Sequence, residues 1–235
     1  MSTKKFYLVL DVETANSTDD ALVYDLGLAV CDRLGRVYET RSILISDIFL
    51  QERELMATAY YSRKIPQYLE ALARGEHEVL NFYQARQYVL GLFERYNIAA
   101  VAAYNANFDR NALNVTERWL TKSKFRYFFP YGTEFICIWH MACQLICTQS
   151  HYIKFCFANG LESASGNIKT SAETVYAYMT KCPDYEECHT GLQDVLIEVQ
   201  IFAKCLAQHK KFDSSINRLC WKIPQKKAKE MRTQN

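Results

Sequence analysis

The stretch "FYLVLDVETAN" (residues 6–16) constrains this chain most, because an uninterrupted apolar run from Phe6 to Leu10 leads straight into Asp11 and Glu13. A run of that length and composition fits a strand covered on both faces, so other elements must pack against it from either side. Residues i and i+2 of a strand project to the same side, which sends Asp11 and Glu13 out together. Two neighbouring carboxylates raise each other's pKa unless a cation lies between them. Either the strand end is solvated or something positive belongs there.

The pattern repeats along the chain. "ALVYDLGLAVCD" (21–32) and "VYETRSILI" (37–45) read as strands joined by the turn "RLGR", an antiparallel hairpin that extends the first strand. Gly27 inside the second of these marks a close backbone approach. Residues 47–97 are helical in character, and in "NFYQARQYVLGLFERYN" the apolar positions recur near the 3.6 period. "IAAVAAYN" (98–105) and "EFICIW" (134–139) are further buried strands, each followed by a helical segment, and helices are expected at 171–181 and about 189–208. A hairpin followed by alternating helices and buried strands predicts an α/β fold: a mixed five-stranded sheet with helices on both faces. Ligands of such sheets sit at the carboxyl ends of strands, where Asp11 and Glu13 stand.

Composition narrows the class. With 235 residues, 49% of them hydrophobic, the chain can bury one sizeable core. No apolar stretch reaches the roughly 18 residues that span a membrane, and the first run is shorter than the roughly 7–15 of an export signal. Nine scattered cysteines, an odd number, fit a reduced cytoplasmic setting. Zinc is the alternative use for Cys143, Cys147 and His151 at i, i+4, i+8, with Cys182, Cys188 and His189 farther on, but no CxxC pair supports it. The net charge of +2 hides an asymmetry: from His209 onward eight Lys or Arg face two acids. The chain therefore divides into a main domain, 1–208, and a basic extension, 209–235. That extension reads as a solvated tail docking through Ile216, Leu219 and Trp221, or as a segment that attracts a nucleic-acid backbone.

Two more acids fall where strands meet helices. "YNANFDRN" places Asp109 in the first turn of a helix, where a carboxylate also suits the helix dipole. "ECHTGLQDVLIEVQIF" holds Asp194 among apolar residues, with His189 five positions upstream and Gly191 between them. On a helix starting near His189 the two side chains lie about 140° apart, so the histidine would enter any shared site from another direction.

Taken in order, "DVETA", "YNANFDRN" and "HTGLQD" resemble the three motifs of the DEDDh exonuclease superfamily, which includes ribonuclease T, oligoribonuclease and polymerase proofreading exonucleases. "VYDLGLAV" resembles that group's second strand, and the likeness runs over roughly residues 6–205. It implies a ribonuclease H-like fold and 3′–5′ hydrolysis of terminal phosphodiesters to nucleoside 5′-monophosphates, on DNA ahead of RNA. The four acids form an oxygen-ligand set suited to hard divalent cations, two Mg²⁺ with Mn²⁺ as a substitute. By the resemblance Asp11 bridges both ions, Glu13 and Asp194 support one, Asp109 acts through water on the other, and His189 is the general base. Thr14, Ala15, Asn105 and Phe108 would meet the substrate; Ala15 stands where the family usually has glycine. The implied partner is a single-stranded nucleic-acid 3′ end, with a homodimer or a replication or repair partner also compatible.

Each residue also has a plainer interpretation. Asp11 and Glu13 can be a solvated strand end, Asp109 a helix-start charge, and His189 with Asp194 a capped helix start. Phe108 fits packing beneath Asp109, while Asn105 and Asn107 fit either substrate contact or a turn. An exoribonuclease, or a silent nucleic-acid-binding module on the same fold, are the other functional classes.

Overall fold

The computed structural model describes residues 4–59, 62–187 and 189–233. The three leading strands form as the sequence indicates: β1 (Phe6–Ala15), β2 (Leu22–Asp32) and β3 (Val37–Ile45) make an antiparallel meander. Short helices α1 (Ser46–Phe49) and α2 (Arg53–Met56) precede α3 (Ile65–Ala73), the edge strand β4 (Glu78–Leu80) and the long α4 (Phe82–Tyr96). Asn81 caps α4 in a capping box with Gln84, each side chain bonding the other's backbone N–H. Then come β5 (Ile98–Ala103), α5 (Ala106–Thr121), β6 (Phe135–Cys137), α6 (Ile138–Leu145), α7 (Ser150–Ala158), α8 (Ala172–Thr180), α9 (Gly191–Leu206) and α10 (Gln225–Thr233).

The sheet has six strands in the order β4-β3-β2-β1-β5-β6, with β5 and β6 parallel to β1 and β4 parallel to β3. The α/β architecture is as expected; the sixth strand, β4, is the addition. Its three residues are too few to show an alternation, so only pairing to β3 reveals it.

Pleating divides β1 between two cores. Leu8, Leu10 and Val12 pack with α4 and α5, whereas Val9 packs with α6 to α9. Asp11 and Glu13 continue the Val9 side by their i+2 spacing, so they emerge beneath α9. Closeness on that side depends on two glycines. A Cβ on Gly27 would stand 2.0 Å from the Gly191 carbonyl carbon, and one on Gly191 would stand 2.6 Å from the Gly27 nitrogen. The N-terminus of α9 is thereby pressed onto β2, directly across from Asp11, the register partner of Gly27.

The basic extension is not a solvated tail. The Cys137 N–H donates to the Ser214 carbonyl, and Ile216 packs against the first core, although Leu219 stays exposed. In α10 the Gln225 amide is buried and bridges both backbone groups of Ile168, and Arg232 pairs with Glu162. Its amide N–H also donates to the Trp221 carbonyl at 2.8 Å, and a buried amide so satisfied holds the helix where composition alone indicated solvent. The cysteine–histidine spacing is likewise structural. α6 stops at Leu145 and His151 is exposed on α7, so the histidine does not join the two buried cysteines. The Cys143 thiol instead bonds those of Cys147 and Cys220 in the interior. Cys188 lies outside the described residues.

Candidate active site

Three elements deliver four acids to one place. Asp11 and Glu13 come from the end of β1, where the pairing with β2 shifts register between Glu13 and Thr14. Such bulges re-aim side chains at sheet ends. Asp109 comes from the first turn of α5 and is 3% exposed, with the backbone N–H groups of Val12 and Asp109 itself moderating the effect of burial on its carboxyl. Asp194 comes from the first turn of α9, 8% exposed, with its Oδ1 lacking a hydrogen-bond partner.

His189 reaches the same place from outside the helix. α9 begins at Gly191, not at His189, and His189 adopts a left-handed φ of 50°. That turn brings the imidazole back over the acids: ligand atoms of Glu13, His189 and Asp194 all lie within 4.8 Å of one another. The helical 140° separation does not apply, because the loop sets the direction. Glu187 Oε2 lies 3.9 Å from His189 Nδ1.

The electrostatics show what the arrangement costs without a cation. Burial, followed by the charges of Glu198, Asp109, Glu13 and Asp194, pushes the Asp11 carboxyl far above the usual range. Burial and then Asp194 raise Glu13 to about 9, with Lys64 opposing. Burial raises Asp109 and Asp194 each to about 7, and Glu187 to about 8. His189 moves the other way: burial, reinforced by the Lys64 charge, lowers it, so the ring is a neutral acceptor at pH 7.

Three contributors escaped sequence reasoning. Asp25, fully buried on β2 opposite Glu13, accepts from the Tyr68 hydroxyl at 2.7 Å and from the Gly191 N–H at 2.9 Å. It caps α9 in place of Thr190, whose side chain makes no capping bond. Glu198, 3% exposed and one turn beyond Asp194, accepts the Tyr104 N–H at 3.1 Å and so fastens the β5–α5 corner that carries Asp109. The signal for both was an acid inside an apolar run. Lys64, at the start of α3, is the cation that opposes the acids; its location among ordinary surface residues carried no signal.

The remaining expected residues fall around this centre. Thr14 is half-buried, while Ala15 is fully buried and presents no surface to a ligand. Asn105 is exposed at the start of α5 and makes no capping bond with its side chain. Phe108 packs partly against the first core and, with Asn105, lines a cavity of about 320 Å³.

No family model matches the chain, and no curated protein matches it either. Solved structures do. The chain is similar to E. coli exonuclease I in complex with a 5cy-dT13 oligonucleotide, at 13% identity and a TM-score of 0.50 over 85% of this chain and 40% of the other. It is also similar to the same enzyme in complex with a dA16 oligonucleotide, at 14% identity and a TM-score of 0.51 over 84% and 40%. The chain thus spans about two fifths of those proteins, and the likeness establishes a ribonuclease H-like α/β fold. Among the described residues no helix is long and apolar enough to cross a membrane.

Proposed function

We propose that this chain is a metal-dependent 3′–5′ exonuclease acting on single-stranded nucleic acid, DNA ahead of RNA. The observation that carries the proposal is the convergence of Asp11, Glu13, Asp109, Asp194 and a neutral His189 at the end of β1, with one Asp194 oxygen buried and unpartnered. A set of mutually repelling carboxylates, two buried and two half-buried, fits divalent cations and is otherwise a cost. Asp11, Glu13, Asp109 and Asp194 would hold the ions, Mg²⁺ or Mn²⁺. When bound, two such ions neutralise the phosphate and hold its attacking and leaving oxygens. The oligonucleotides held by the structural neighbours support a single-stranded substrate.

His189 takes the proton from the attacking water. Glu187 Oε2 faces its Nδ1 at 3.9 Å. The water oxygen bonds to phosphorus, the bond to the 3′ oxygen of the preceding nucleotide breaks, and a nucleoside 5′-monophosphate departs. The shortened strand keeps a 3′-hydroxyl. His189→Ala is expected to slow turnover by roughly 10²–10⁴-fold while leaving cation affinity nearly intact, as measured by single-turnover hydrolysis and Mn²⁺ titration. Parallel loss of affinity would make His189 a ligand instead.

Cation removal gives a second test. Glu13, Asp109, Asp194 and Glu187 keep their protons to higher pH when folded than when unfolded. Their contribution to stability is therefore complete below about pH 4 and is lost as pH rises through about 7 to about 9. In EDTA the melting temperature should fall from pH 5 to pH 8.5. Saturating Mg²⁺ at the higher pH should restore about 5–10 °C, the shift expected at about a hundredfold excess over Kd. A melting temperature that rises with pH in EDTA would contradict this arrangement of charges.

A further inference from the structure

Beyond the terminal site, α5 borders a second cavity of about 540 Å³, closed on its far side by the loop between α5 and β6. Arg110 and Arg118 line it from the helix, and Tyr127 and Tyr131 line it from the loop. The loop is held firmly. Phe128 and Phe129 are buried in the core, the Phe128 N–H donates to the Asn114 side chain at 2.9 Å, and Arg86 donates to the Phe128 carbonyl at 2.8 Å. With those anchors fixed, Tyr127 is left 56% exposed and Tyr131 fully exposed. Rings held out by a fixed loop are a surface awaiting a partner.

Charge identifies the partner. From Arg110 to Arg126 the chain carries five Lys or Arg residues against one acid, Glu117, which is buried. Each cavity arginine lies over a ring, Arg110 over Phe135 at 5.4 Å and Arg118 over Tyr127 at 4.8 Å. Guanidinium groups beside the exposed ring of Tyr131 suit a single strand, whose phosphates take the charge and whose bases stack. The groove also adjoins the smaller cavity lined by Asn105 and Phe108, with Asn111 lining both, and Phe108 is the chain neighbour of Asp109. Nine residues of helix separate Asp109 from Arg118, about 13.5 Å along the axis.

We propose that this groove binds the upstream part of the single strand whose 3′ end occupies the acid cluster. The assignment of the strand's polarity rests on the exonuclease function proposed above; the binding itself does not. Fluorescein-labelled dT20 is titrated by anisotropy in EDTA, over a range of salt, with wild-type protein and two variants. Arg110→Ser with Arg118→Ser should weaken binding at least about tenfold and reduce the salt slope by about 1.4. Tyr131→Ala, which removes a ring wholly outside the core, should weaken binding roughly tenfold with the salt slope unchanged. Affinities within twofold of wild type for both variants would overturn the proposal. So would competition by polyglutamate as strong as that by unlabelled dT20, which would assign the patch to acidic protein. If wild type binds dT20 in this way but hydrolyses nothing with Mg²⁺, the groove stands and the exonuclease proposal falls.

Discussion

Asp11→Asn is expected to abolish measurable hydrolysis, a loss of at least roughly 10³-fold, and at the same time to raise the melting temperature of the cation-free protein. The two effects have one cause. Asp11 is repelled by Glu198, Asp109, Glu13 and Asp194, so its charge is a liability until cations arrive. Asparagine keeps the shape, removes that charge, and cannot serve as an anionic ligand. The activity loss should exceed the roughly 10–100-fold cost of disturbing a group that merely orients a ligand. Side-by-side melting curves in EDTA and single-turnover assays in Mg²⁺ measure both. A variant that is less stable without cations and retains activity would mean Asp11 is held for structure alone.

Gly27→Ala should be among the most destabilising single substitutions in the chain. Its Cβ would stand 2.0 Å from backbone of Gly191 and 2.4 Å from the Leu192 nitrogen, and backbone at the start of α9 cannot yield as a side-chain tip can. Overfilling a packed site costs about 1–3 kcal/mol and more where the obstacle is rigid, so a loss of about 3 kcal/mol or greater is expected. Displacing α9 would also break the bond from the Gly191 N–H to Asp25 and shift Asp194 and Glu198 from the acid cluster. Urea unfolding gives the stability change, and residual hydrolysis in the folded fraction gives the positional one. Near-wild-type stability would show that α9 docks less tightly than its glycines indicate.

Much of this was legible because it depends on local pattern. The run from Phe6 to Leu10 marked β1, and the helix expected at 171–181 forms as α8, whose first turn Ser171 caps by accepting the Thr174 N–H. Gly27 and Gly191 each signalled a close approach; that they approach each other emerges only from the pairing of β2 beneath α9. The boundary at Ile138 was illegible for a physical reason. "FICIWHMACQL" is apolar on every side, and periodicity cannot separate a buried strand from a buried helix, so β6 ends earlier than expected and α6 begins inside the run. At the site, the acids at strand and helix ends could be read directly. Asp25 and Glu198 could not, because their roles depend on what lies across from them. His189 was placed by a left-handed turn that no spacing rule encodes.

The most direct test of the central claim is a sequencing-gel assay of 5′-labelled single-stranded DNA, with RNA and duplex DNA alongside, in Mg²⁺ and in EDTA. The expected result is a ladder that shortens from the 3′ end one nucleotide at a time in Mg²⁺, with release of 5′-monophosphates, and that disappears in EDTA and in Asp11→Asn. Undegraded strands in both Mg²⁺ and Mn²⁺, from protein that binds them, would contradict it and leave a binding module with an unused cluster of acids.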